Sequence, residues 1–139
     1  MNSIRPDARP TTMVLRGLRL RCPRCGSGGL FKNWFKLKER CPRCGYKIER
    51  EEGFWLGGYV MNVVFGEGLL ALYLFYFATK AIADPEMAIR SWLIVAVVLA
   101  LVPPILFFPL SRTTWMAMDL LIHPLEPWEV ADADLHASS

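Results

Sequence analysis

Two oily runs fix most of what this chain can be. From Phe54 to Ala83 the sequence is FWLGGYVMNVVFGEGLLALYLFYFATKAIA, in which only Glu67 and Lys80 carry charge. From Ser91 to Leu110 it is SWLIVAVVLALVPPILFFPL, twenty residues without a charge. A helix rises about 1.5 Å per residue, so about 20 apolar residues cross a hydrocarbon layer of about 30 Å. Neither run has the polar face of a helix lying on a surface. A chain of 139 residues holds too little other sequence to surround two such helices in a soluble core. Membrane spans are therefore expected over about residues 56–79 and 91–110, with Pro103 and Pro104 withholding helical donors inside the second.

The loop from Lys80 to Arg90 is short and contains Asp84-Pro85, so the two spans form a hairpin (53–124 with its exit segment). Thirteen of the sixteen Lys and Arg lie in residues 1–52, beside five of the thirteen Asp and Glu, a local charge of +8; the rest of the chain carries −5. Basic residues stay on the cytoplasmic side, which predicts a cytoplasmic N-terminal unit, an outside loop, and a C-terminus that returns to the cytoplasm past Arg112. No apolar run with a small-residue cleavage site opens the sequence, so no signal peptide is expected.

The N-terminal unit, residues 15–52, contains CPRCG twice, nineteen residues apart, and with it all four cysteines. Cys22-x2-Cys25 and Cys41-x2-Cys44 are separated by fifteen residues, the spacing of a zinc site. Two thiolates in each tight turn converge on one ion, and two turns complete a tetrahedral set. In the reducing cytoplasm thiols bind metal rather than pair as disulfides. A unit of about forty residues buries too little apolar surface to fold alone, a deficit that metal binding on the order of 10 kcal/mol removes. A closed four-thiolate set has no open position for water, so the site is expected to be structural. Zinc is the expected ion, in a zinc-ribbon-like β unit; rubredoxin-like iron is framed by similar knuckles and remains the alternative. Between the knuckles, Leu30–Lys38 interleaves aromatics with lysines and predicts a hairpin.

Arg19, Arg21, Arg24, Lys36, Lys38 and Arg43 surround the cysteines as an expected basic surface. So close to a span, its expected partner is anionic lipid headgroups; a membrane-tethered nucleic-acid module, with Phe31, Trp34 and Phe35 stacking on bases, is the less favoured alternative. Within the first span Gly58, Asn62 and Gly66 recur every four residues beside Glu67. Small residues let helices approach, and an intramembrane carboxylate calls for a partner. The stripe Gly58, Asn62, Gly66, Glu67 is expected to face a partner helix; a contact satisfied within the hairpin is the competing arrangement. A proton relay would need further carboxylates.

After the second span, Trp115, Met118, Leu121 and Ile122 share a stripe up to Pro124, which predicts a short interfacial helix over 112–123 or a bent continuation of the span. Residues 1–14 are expected to be a disordered tail, and 125–139 a C-terminal tail that is disordered over 131–139. His123 and His136 stand alone, and no phosphate loop or Ser/His/Asp or Cys/His set appears. No enzyme is expected.

The segments RCPRCGSGGLFKNWFKLKERCPRCG, EGFWLGGYVMNVVFGEG and PLSRTTWMAMDLLIHPL, from residue 18 to about 125, resemble the bacterial small membrane proteins grouped as domain-of-unknown-function family 983. The resemblance implies metal ligation by Cys22, Cys25, Cys41 and Cys44, a place in the bacterial inner membrane, and a link to respiratory complexes. The expected whole is a small multi-pass membrane protein. It has a cytoplasmic zinc-ribbon-like β unit, a two-helix transmembrane hairpin and a short C-terminal interfacial helix. It is expected to act as a non-catalytic adaptor or accessory subunit of an integral membrane complex.

Overall fold

The computed structural model of the chain describes residues 9–137. Its elements are helix α1 (Pro10–Leu18), strands β1 (Phe31–Asn33) and β2 (Lys36–Leu37), and helices α2 (Phe54–Ala83), α3 (Ile89–Ile122) and α4 (Pro127–Ala137). The strands form the expected antiparallel hairpin, with Phe31 opposite Leu37. Helices α2 and α3 are both long and apolar enough to cross a membrane.

These two helices form a hairpin held by close approach at its near end and by aromatic packing at its far end. A Cβ on Gly57 would collide with the Trp115 ring, and one on Gly58 or Gly66 would lie 2.9 Å from Arg112 Cδ or Pro104 Cγ. Asn62 donates from Nδ2 to the Pro104 oxygen at 3.1 Å. Near the Asp84 turn, the Tyr73 hydroxyl donates to the Trp92 oxygen at 2.9 Å, and the rings of Tyr73, Tyr76 and Phe77 gather round Trp92.

The stripe is thereby corrected. Gly58, Asn62 and Gly66 are buried against α3, where they face no partner, and Glu67, one residue further round the helix, is exposed. The pattern of small residues was visible in the sequence, but it could not say which helix would fill it.

Of the two forms expected for the segment after the second span, the structure has the continuation of the span and not the separate interfacial helix. Helix α3 runs unbroken from Ile89 to Ile122, and residues 112–123 make no separate interfacial helix. The reason is what lies on it: Ser111, Thr113, Thr114, Met116, Ala117, Asp119 and Leu120 are buried. The cysteine unit covers this end of α3. Its core of Cys22, Leu30, Cys41, Cys44, Tyr46 and Ile48 continues without a gap into Phe54 of α2 and Met116 and Leu120 of α3. Burying a side chain such as Leu120 contributes about 1.5–3 kcal/mol, so the end of the helix stabilises the cysteine unit and the unit extends the helix.

Both expected tails contain helices. Residues 10–14 belong to α1, which begins on Pro10, a residue suited to the first helical turn, and lays Gly17 on α3. There the Thr113 hydroxyl donates to the Gly17 oxygen at 2.7 Å. Residues 127–137 form α4, because its carboxylates meet the arginines of the cysteine unit. Residues 1–8 and 138–139, the outer parts of the expected tails, lie outside the described residues.

Candidate metal centre

The two CPRCG copies fold as the same turn. In each, the glycine N–H bonds back to the first cysteine's oxygen: Gly26 to Cys22 at 2.8 Å and Gly45 to Cys41 at 3.0 Å. In each, the first cysteine's N–H reaches the oxygen five residues on, Ser27 or Tyr46, at 2.8 and 2.9 Å. Gly26 and Gly45 close the turns at φ +76° and +65°, the left-handed region that glycine enters without strain.

These turns aim four sulfurs at one point. All four Sγ atoms lie within 4.8 Å of one another. Across the knuckles, Cys22 and Cys44 are 3.8 Å apart and Cys25 and Cys41 are 3.7 Å apart. A tetrahedron with metal–sulfur bonds of about 2.3 Å has edges of about 3.8 Å, so the cluster fits a tetrahedral thiolate ion. As a set of thiols it divides unevenly. Cys22 is pushed far up, by its contacts with Cys25, Cys41 and Cys44 and then by burial. Cys25 is drawn down to about 6, and Cys41 much further, chiefly by the hydrogen bond each receives from Cys22. Cys44 is pulled down by Cys22, but its contacts with Cys25 and Cys41, together with burial, outweigh that and raise it. A cluster in which thiolates are already favoured beside thiols is one that a cation can complete by displacing the remaining protons.

Ser27, which belongs to no motif in the sequence, places its hydroxyl 3.1 Å from Cys25 Sγ and 3.2 Å from Cys41 Sγ, within reach to donate its one hydrogen to either sulfur. Hydrogen bonds of this kind orient and tune metal ligands. Only its position after the first CPRCG, where the second copy has Tyr46, marks it in the sequence.

The basic surface also needs correcting. Arg24 is buried and is not part of it: its guanidinium reaches the Cys44 oxygen at 3.4 Å and Asp134 at 3.5 Å. Arg16 donates to the oxygens of Pro23 and Arg24 at 3.1 and 3.0 Å. Arg40 donates to the Gly45 oxygen at 3.2 Å and to Asp132 at 2.8 Å, which lowers that carboxyl below its ordinary range. These arginines brace the knuckle carbonyls. Arg19, Arg21, Lys36 and Arg43 are exposed, and Lys38 is half-buried.

Arg50 ties the unit to both helices beneath and above it. It donates to Asp119 at 2.8 Å, to the His123 oxygen at 2.8 Å and to both oxygens of Glu129, at 3.1 and 3.3 Å. Burial alone would lower its pKa, but the Asp119 hydrogen bond and the surrounding negative groups outweigh burial and raise it. Helix α4 meanwhile lies so close to the second knuckle that a Cβ on Gly45 would collide with the Ala133 oxygen.

Residues 31–119 match the family described as Protein of unknown function (DUF983). The chain belongs to that family. The DUF983 segment begins at β1 and ends in the part of α3 that carries the cysteine unit, so it contains Cys41 and Cys44 but neither Cys22 and Cys25 nor α4. It is shorter at the front than the resemblance from residue 18 implied. No curated protein and no solved structure matches the chain.

Proposed function

We propose that this DUF983 protein is a non-catalytic membrane adaptor, an accessory or assembly subunit whose zinc-bearing head is fixed to a two-span hairpin. The observation that carries the reading is the shared core. The four cysteines are not on a flexible tether; they pack into one cluster with Met116 and Leu120 at the end of an apolar helix. A closed thiolate set offers a substrate no open metal position, and its rigid seating suits a surface held at fixed height over a membrane. Zinc is favoured over iron by the structural role, since the cluster geometry accommodates either.

The head, α1 and α4 all gather at one end of the hairpin, as expected if both termini face the cytoplasm of a bacterial inner membrane. Exposed Arg19, Arg21, Lys32 and Lys36 then lie near anionic headgroups, with Trp34 and Phe35 beside them. Nucleic acid is the less supported partner, because Arg24, Arg40 and Arg50 are occupied by the chain's own carboxylates. The resemblance points to a respiratory complex as the host.

Gentle detergent extraction from native membranes followed by size-exclusion chromatography tests the reading. The expected result is a larger assembly with a stoichiometric membrane protein. A lone monomer with no companion overturns it.

A further inference from the structure

Glu67 is the only charged residue of α2 before Lys80. The side of α2 that meets α3 is defined by Gly58, Asn62, Gly66 and Tyr73. Glu67 follows Gly66, about 100° further round the helix, and is exposed. Among the described residues no hydrogen bond or ion pair reaches it, and α3 has no charged residue between Arg90 and Arg112 to offer one. Beside it the backbone is open, since a Cβ on Gly68 would meet nothing within 4 Å. Val64, one turn before, and Ala71, one turn after, are exposed on the same side.

We propose that this outer face of α2, formed by Val64, Glu67, Gly68 and Ala71, docks a membrane helix of another protein that presents a Lys, Arg or His side chain at the depth of Glu67. The proposal rests on the adaptor reading and adds the face and the chemistry of the partner. A charged carboxylate near the middle of a span costs about 3 kcal/mol or more, and an opposing cation removes that cost. Gly68 and Ala71 let the second helix come close enough for the pair to form. A second copy of this chain is not the occupant. Its α2 would bring another Glu67, a like charge, while its Asn62 is turned inward and bonded to Pro104.

A photo-crosslinking amino acid placed at Ala71 in the full chain, in native membranes, tests this, with the exposed α3 positions Val97 and Leu101 as comparison sites. The expected product joins position 71 to a membrane-spanning segment that carries a basic residue. Its yield falls about tenfold or more in Glu67→Leu and in Gly68→Leu. Glu67→Leu leaves metal content and thermal stability of the isolated protein intact, because Glu67 is exposed and no hydrogen bond or ion pair among the described residues involves it. A product with a second copy, with lipid alone, or with a segment lacking a basic residue overturns the proposal. Products from the α3 sites alone overturn it but leave the adaptor reading standing. No protein product from any site overturns both.

Discussion

The indole N–H of Trp34 donates to the main-chain oxygen of Ile105 at 2.8 Å. Four residues after Ile105 comes Pro109, which has no N–H to give. The tip of the cysteine unit's hairpin thus supplies the hydrogen bond that the helix lacks, and Phe35 next to it packs edge-on against Phe108 at 5.1 Å. The head therefore reaches down the side of α3 to a level inside the apolar run, which accounts for why so small a unit keeps two exposed aromatics at a turn.

Trp34→Phe keeps an aromatic ring, though a smaller one, and loses the donor. It should cost about 1 kcal/mol of stability in lipid nanodiscs. In a Pro109→Ala background, where residue 109 can donate to Ile105 itself, the same substitution should cost measurably less. A thermal-denaturation double-mutant cycle reads the difference.

Glycines on α2 should divide by position. Gly57→Ala drives a methyl into Trp115 and should cost about 1–3 kcal/mol. Gly68→Ala meets only open space and should stabilise the isolated protein by about 0.5–1 kcal/mol through helix propensity. Equal effects in chemical denaturation would contradict the packing of α2 on α3.

Arg50→Met leaves buried Asp119 and half-buried Glu129 without their shared cation and should destabilise by about 3 kcal/mol. Arg50→Lys should rescue little, since one ammonium cannot span Asp119, Glu129 and the His123 oxygen. The same denaturation assay measures both.

The Arg40–Asp132 pair sets a pH window for α4. Asp132 is held below the ordinary carboxylate value of 3.8 by the Arg40 hydrogen bond. A lowered folded value means that its contribution to docking is complete above the unfolded pKa and is lost as pH falls through the lowered one. Amide exchange in Pro127–Ala137, corrected for its intrinsic pH dependence, should show no Asp132-dependent loosening between pH 5 and pH 7 (about the plateau) and loosening below about pH 4. Arg40→Gln takes away the main cause of the shift, so it should leave α4 looser across the whole range and largely abolish the Asp132-dependent change with pH.

Much of this was legible in the sequence. Periodic oily runs predict α2 and the first part of α3, and the doubled CPRCG predicts the thiol cluster, because both depend on spacing within short stretches. What the sequence left hidden depends on contacts between distant residues. Asp132 and Asp134 resemble a solvated tail until Arg40 and Arg24 are placed beside them. Thr113, Thr114 and Asp119 resemble the polar side of an interfacial helix until the cysteine unit buries them. Pro109 shows that the Ile105 carbonyl must find another donor, yet nothing local names Trp34, seventy-one residues away.

The proposed structural zinc, held by Cys22, Cys25, Cys41 and Cys44 within the core that joins the head to α3, is open to direct measurement. X-ray absorption on the protein purified from its native membrane, with metal content from the same sample, tests it most directly. The account predicts about one zinc per chain surrounded by four sulfurs at about 2.3 Å. An iron edge with a red, reducible thiolate spectrum, or no stoichiometric metal at all, would contradict it.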